Sequence, residues 1–197
     1  MGTEKQIHPA FLHNYYLFRK KVFKIFGGAF HIYDSNQRLL FYSKQKAFKL
    51  KEDFRIYADE RMVEELLIIK TPQILDIGAT YYIQDPVADE PVGAIRRKGL
   101  KSIFKDEWIF LSTEGRKIAK LTESSVLAAL CSRLINLIPQ KYVIVATDGT
   151  TIAEIKQHFN PFVLKYTMTV LQPEPVIDRR LIVSAGIMLA SIEGRQQ

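Results

Sequence analysis

Leu181–Ile192 reads LIVSAGIMLASI. The stretch holds no charge and is apolar on every side, and its reading decides the fold. As a helix its 12 residues span about 18 Å at 1.5 Å per residue, against a hydrocarbon core of about 30 Å. Asp178, Arg179 and Arg180 flank it closely on one side, Glu193 and Arg195 on the other. A helix that is apolar all round and too short to span belongs inside a protein, and a membrane-inserted tail is the alternative. Asp178 is the expected N-cap and Gly194 the expected C′ residue, with Pro173 and Pro175 just upstream. Ser184, Ala185, Gly186, Ala190 and Ser191 are small, which lets surrounding strands approach closely.

The surrounding chain supplies those strands. Short apolar–polar alternations recur between turn signals, the pattern of antiparallel strands with one wet face. They run at Tyr15–Lys20, Val22–Phe26, Ala29–Tyr33, Leu39–Lys46, Phe54–Ala58, Leu66–Lys70 and Ala79–Gln84. They continue at Val92–Lys98, Trp108–Leu111, Lys117–Thr122, Tyr142–Ala146, Thr151–His158 and Phe162–Val170. Gly27-Gly28, Asp34–Gln37, Asp85-Pro86, Ser112–Gly115, Asp148-Gly149 and Asn160-Pro161 are the turns between them. About a dozen strands with hairpin-length links indicate a closed barrel or a sandwich. A ring of that size encloses room for one helix. Ser124–Ile138 is predicted as an accessory helix, because Leu127, Leu130, Leu134 and Ile138 recur at helical spacing and Pro139 follows.

The wording of several segments is also informative. FHIYDSNQRLLFYSKQK (Phe30–Lys46), ILDIGATYYIQD within Ile68–Asp85, and VGAIRRKGLKSIFKDEW (Val92–Trp108) resemble the tubby C-terminal-like superfamily. The nearest branch is the LURP-one-related proteins, with the phospholipid scramblases as cousins. The resemblance covers about residues 14–193 and implies one domain, a closed barrel of about twelve antiparallel strands around a C-terminal hydrophobic helix. Periodicity reaches the same all-β architecture by itself. The chain departs from the scramblase pattern: one Cys replaces a palmitoylated cluster, and Leu171–Ile177 lacks an acidic calcium stretch.

Composition bounds the function. The 197 residues are 47% hydrophobic and 25% charged, the balance of a folded chain. MGTEKQIHPAF carries Glu4 and no apolar run before Phe11, so no secretory signal is read there. A myristoylation box fails at Gln6 and Ile7. Cys131 lies in VLAALCSRLI, where a thiol acts as a small hydrophobe. The expected location is cytoplasmic, with peripheral attachment at the inner membrane face. His8, His13, His31 and His158 have no metal-ligand spacing, and Asp85, Asp89 and Glu90 read as a solvated turn. Nucleophile-elbow and phosphate-loop motifs are missing, so the chain is read as no enzyme, with no cofactor and no metal. Trp108, Phe104 and Phe110 read as packing residues.

Charge placement says more. The formal net charge is +7. Residues 1–57 hold 11 basic and 4 acidic residues, 58–95 hold 2 and 8, and 96–120 hold 8 and 3. Two basic blocks therefore bracket an acidic one. Outward strand positions are polar in any barrel, and Lys also protects edges. The functional reading is a phosphate-binding face made by Lys44, Lys46, Arg96 and Lys98, with Lys101 in the following turn. Arg96 and Lys98 share a face, and Arg97 is expected to point inward. The expected partner is an anionic phospholipid or a phosphoinositide at a membrane surface, in keeping with the superfamily's reputation for phosphoinositide binding. A scramblase-like lipid transporter, and a nucleic-acid-binding or protein-interaction module, are the alternatives.

Overall fold

The computed structural model describes residues 7–21, 29–44, 53–72, 78–98, 107–124, 140–158, 160 and 163–192. A 3-10 turn at Pro9–Leu12 leads into twelve strands. These are β1 (Tyr15–Lys21), β2 (Ala29–Tyr33), β3 (Leu39–Lys44), β4 (Asp53–Tyr57), β5 (Glu65–Lys70) and β6 (Thr80–Asp85). Next come β7 (Glu90–Arg97), β8 (Glu107–Leu111), β9 (Lys117–Glu123), β10 (Lys141–Ala146), β11 (Thr151–His158) and β12 (Val163–Val170). Helix α1 (Arg179–Ile192) follows. Each strand pairs antiparallel with its sequence neighbours, and β1 pairs with β12, which closes the barrel. The strand at Val22–Phe26, the accessory helix at Ser124–Ile138, Cys131 and Gly194 fall wholly or almost wholly outside the described residues. β1 pairs with β2, with Lys20 opposite Phe30.

Alternation sends one residue in two inward. Phe18, Phe30, Ile32, Phe41, Ile69, Tyr81, Phe110, Ile144 and Tyr166 are each at most 1% exposed. They surround α1, in which Leu181 to Ser191 are buried throughout. The short apolar stretch is thus the centre of the core. Gly186 makes the fit possible: a Cβ there would lie 2.7 Å from Met168 Cε and would also collide with the Phe18 ring. Ser184 is fully buried, and its Oγ donates to the Arg180 carbonyl at 2.7 Å. Among the described residues, no helix is long and apolar enough to cross a membrane.

The barrel has two different ends. The odd strands run away from the end where α1 enters, and the even strands run towards it. At the helix-entry end the connections are short: 34–38, 58–64, 86–89, 112–116 and 147–150. A register shift accompanies each of these hairpins, at Ile32/Tyr33, Ile56/Tyr57, Ile83/Gln84, Phe110/Leu111 and Ile144/Val145. Such bulges bend strands at barrel rims, so here they gather on the end that receives the helix. Gly93 lies opposite Ile83 at one of them, with φ +143° and a would-be Cβ 2.5 Å from the Leu111 carbonyl.

Candidate functional site

Charge is segregated along the barrel axis. The far end of the strands carries Arg19, Lys20 and Lys21 of β1, Lys44 of β3 and Lys70 of β5. It also carries Arg96 and Arg97 of β7, Lys98 just beyond, and Lys141, Lys156 and Lys165 of β10, β11 and β12. Against these 11 cations stand 3 described acids, Asp53, Glu107 and Glu123. The helix-entry end, its turns included, holds 12 described acids and 6 cations. The far end is therefore basic and the entry end acidic, a field aligned with the barrel axis.

The sequence-predicted residues Lys44, Arg96 and Lys98 all lie on this basic end, because β3 and β7 both finish there. They are exposed and outward. Arg96 and Lys98 are close together, but Lys44 is not their neighbour. β4, β5 and β6 stand between β3 and β7, and four strand spacings of about 4.8 Å put them about 19 Å apart around the wall. Arg96 Nε donates to Thr80 Oγ1 at 3.0 Å, and Lys98 Nζ pairs with Glu107 Oε1 at 3.1 Å. Arg97 is half-buried, its guanidinium 5.6 Å from the Trp108 ring centre, as an inward alternation requires. Trp108 is 3% exposed and packs near Tyr81, with ring centres 6.3 Å apart. Lys46, Lys101 and Phe104 lie outside the described residues.

A second basic surface comes from residues outside the predicted site. Lys141 faces Lys156 directly across β10 and β11. Arg19 faces Lys165 across β1 and β12, with His31 beyond Arg19 on β2 and His158 beyond Lys165 on β11. Directly opposed like charges destabilise a strand pair. His158 feels this: burial pushes its pKa down, and the Lys165 and Lys156 ammoniums push it further the same way. Its Nε2 lies 2.9 Å from Thr167 Oγ1. The i,i+2 spacing of Lys156 and His158 marks one face, but the meeting of β1 with β12 is invisible in a linear reading.

The helix-entry end corrects the reading of the acidic turn. Asp85 is 4% exposed rather than solvated. Its Oδ1 accepts from the backbone N–H groups of Val87 and Ala88 at 2.9 Å each, and its Oδ2 accepts from Arg180 Nη1 at 2.7 Å. Arg180 Nη1 also donates to Glu90 Oε1 at 2.9 Å, and its Nη2 to Asp178 Oδ2 at 2.6 Å. Asp178 caps the helix as well, accepting from the Arg180 N–H at 2.8 Å. Burial works against the Arg180 charge, and Asp178, Asp85 and Glu90 more than offset it, so its pKa rises. Among the described residues, no cluster of His, Cys, Asp and Glu is arranged to hold a metal ion.

A closed antiparallel barrel threaded by its own C-terminal helix, with one basic and one acidic end, defines the class of protein. A family model described as LURP-one-related matches residues 39–190, which is most of the chain, and the chain belongs to that family. The comparison with curated proteins found no match.

Proposed function

We propose that this chain is a non-enzymatic module that binds anionic phospholipid, phosphoinositides included, through the basic end of the barrel. The axial segregation of charge carries the reading. A closed barrel has no free sheet edge to offer a partner, and its interior is filled by α1, which leaves the outer surface. Basic side chains near an anionic bilayer contribute about 1 kcal/mol each. Family membership fits a relationship to tubby-like and scramblase folds. Lys44, Arg96 and Lys98, with Lys46 and Lys101 next to them in sequence, are the proposed contacts. Peripheral attachment at the inner face of a membrane follows from this reading.

Vesicle sedimentation tests it. The wild type is expected to co-sediment with phosphatidylserine vesicles, to release as salt rises, and to ignore neutral vesicles. Lys44→Glu with Arg96→Glu removes two attractive contacts, so binding weakens by at least roughly 30-fold. Unchanged binding by that variant overturns the assignment of these residues. A salt titration with mixed-sequence DNA run beside the vesicles addresses nucleic acid, for which equal affinity at equal salt is the contrary result.

A further inference from the structure

We propose that the helix-entry rim of the barrel is a docking surface for a segment of a partner protein in which lysines or arginines are interleaved with large apolar side chains. Leu12, Met62, Val63, Val87, Leu171 and Val176 are all exposed on this rim. Tyr82 is the one other exposed large hydrophobic among the described residues, so these side chains are concentrated rather than scattered. Exposed apolar side chains gathered on one face, with polar groups around them, mark an interaction site. They belong to four segments between or beside the strands, 7–14, 58–64, 86–89 and 171–178. Polar contacts tie these segments into one surface. Arg179 Nη1 donates to the His13 carbonyl at 3.0 Å, and its Nη2 to the Pro173 carbonyl at 2.6 Å. Arg180 joins Asp178 to Asp85 and Glu90, which flank the 86–89 turn. His8 Nε2 lies 3.9 Å from Glu64 Oε1, which sets the 58–64 turn alongside.

Charge says what the partner carries. The four segments hold the acids Asp59, Glu60, Glu64, Asp89, Glu174 and Asp178 against a single Lys or Arg, Arg61. Arg61 is paired with Asp59, its Nη2 2.6 Å from Oδ2. Asp89 and Glu174 are exposed, stand two residues from Val87 and Val176, and make no ion pair among the described residues. Met62 shows that the apolar display is not a by-product of turn formation. Its φ is +56°, in the left-handed region that Gly115 and Gly149 occupy in two other turns of the same rim. Glycine adopts that conformation without strain, and a long side chain does not. Val63 beside it is 83% open to solvent. An anionic bilayer is repelled by this rim. A second copy of the chain offers cations on its basic end. Among the described residues, however, its exposed large apolar side chains lie on the entry rim or, for Tyr82, on the wall. Two copies therefore match in charge but not in apolar surface. A segment that interleaves Lys or Arg with Leu, Ile or Phe matches both.

The rim lies at the opposite end of the barrel from the proposed lipid contacts, so the inference stands apart from lipid binding. Fluorescence anisotropy of the full chain with a labelled lysine–leucine peptide of amphipathic helical spacing tests it. A glutamate–leucine peptide of the same spacing and an oligolysine of the same length are the references. Saturable 1:1 binding of the lysine–leucine peptide is expected, with the glutamate–leucine peptide silent and oligolysine roughly tenfold weaker. Val63→Ser with Val87→Ser removes apolar contact at constant charge and is expected to weaken binding roughly tenfold. Asp89→Asn with Glu174→Gln is expected to weaken it roughly fivefold, a loss that shrinks as salt rises. Lys141→Gln with Lys156→Gln, at the basic end, is expected to change it less than roughly twofold. These are surface positions, so the fold should persist, and an unchanged thermal melt verifies that. No saturable binding, oligolysine binding as tightly as the lysine–leucine peptide, or undiminished binding by both rim variants overturns the proposal. So does self-association in sedimentation velocity that Asp89→Asn/Glu174→Gln abolishes, which would assign the rim to a second copy. Peptide binding without capture of the wild type by phosphatidylserine vesicles refutes the lipid reading and leaves the rim standing. Vesicle capture with a silent peptide overturns the rim alone.

Discussion

At the scale of single residues, the buried guanidinium of Arg180 ties the helix to the barrel rim. Its side chain is 7% exposed and held by three carboxylates from two regions of the chain. Removing one partner of a buried ionic group leaves the others desolvated and unmatched, at about 3–5 kcal/mol. Arg180→Leu is therefore expected to lose that much stability, read as a fall in the urea midpoint at constant m-value. Asp85 and Arg180 are 95 positions apart, so no local pattern in the sequence announces their pairing. His158 gives the second test. Its folded pKa lies below its ordinary value of about 6.5. Below pH 6.5 the unfolded chain takes up a proton that the folded chain declines. The stability linked to this group is therefore complete above pH 6.5 and falls as pH drops through the folded pKa. Lys165→Gln removes one of the ammoniums responsible, so the His158 ring is expected to titrate higher, measured by NMR of its ring protons.

At the scale of elements, the helix and the hairpins obey different rules. Helix α1 was legible because twelve uncharged residues have one economical place to go once a span is too short for a bilayer. Its fit was not legible. Gly186 faces Phe18 and Met168, and a methyl group there has no room. Gly186→Ala improves helix propensity by about 1 kcal/mol and overpacks the core by about 1–3 kcal/mol. The expected net result is a lower melting temperature, with little change in far-UV helix signal below the transition. The strands were legible by alternation, within a residue or two at most ends. Register was not, because each hairpin at the helix-entry end carries a shift that no composition marks. Register is what sets Arg19 against Lys165 and Lys141 against Lys156, so the basic wall was out of reach of the sequence.

At the scale of the whole molecule, closure and the central helix depend on each other. Leu181, Ile182, Val183, Ile187, Met188 and Leu189 are each at most 1% exposed. Six such side chains at about 1.5–3 kcal/mol each contribute roughly 9–18 kcal/mol, as much as the net stability of a typical domain at about 5–15 kcal/mol. A chain ending at Ile177 is therefore expected to lose cooperative thermal melting and to expose its apolar interior. A native-like melt of that chain would instead favour a transporter reading, in which the helix leaves a self-sufficient barrel and inserts. The axial separation of charge is also a property of the whole. It arises because antiparallel strands bring every second strand end to the same side, so basic residues far apart in sequence gather on one rim.

The sequence by itself determined the twelve strands of the described residues, the buried fate of the C-terminal helix, the family resemblance, and the outward alternation of Lys44, Arg96 and Lys98. Those features are periodic or local, and side-chain direction follows from periodicity alone. Only the tertiary structure decided that β1 closes on β12, that Arg180 joins Asp85 and Glu90 beneath the helix, and that Lys44 shares an end with Arg96 and Lys98 while standing about 19 Å from them around the wall. It also decided that Lys165 meets Arg19. These are contacts between distant positions, set by strand register and by the space the helix leaves, and neither is written in any single segment.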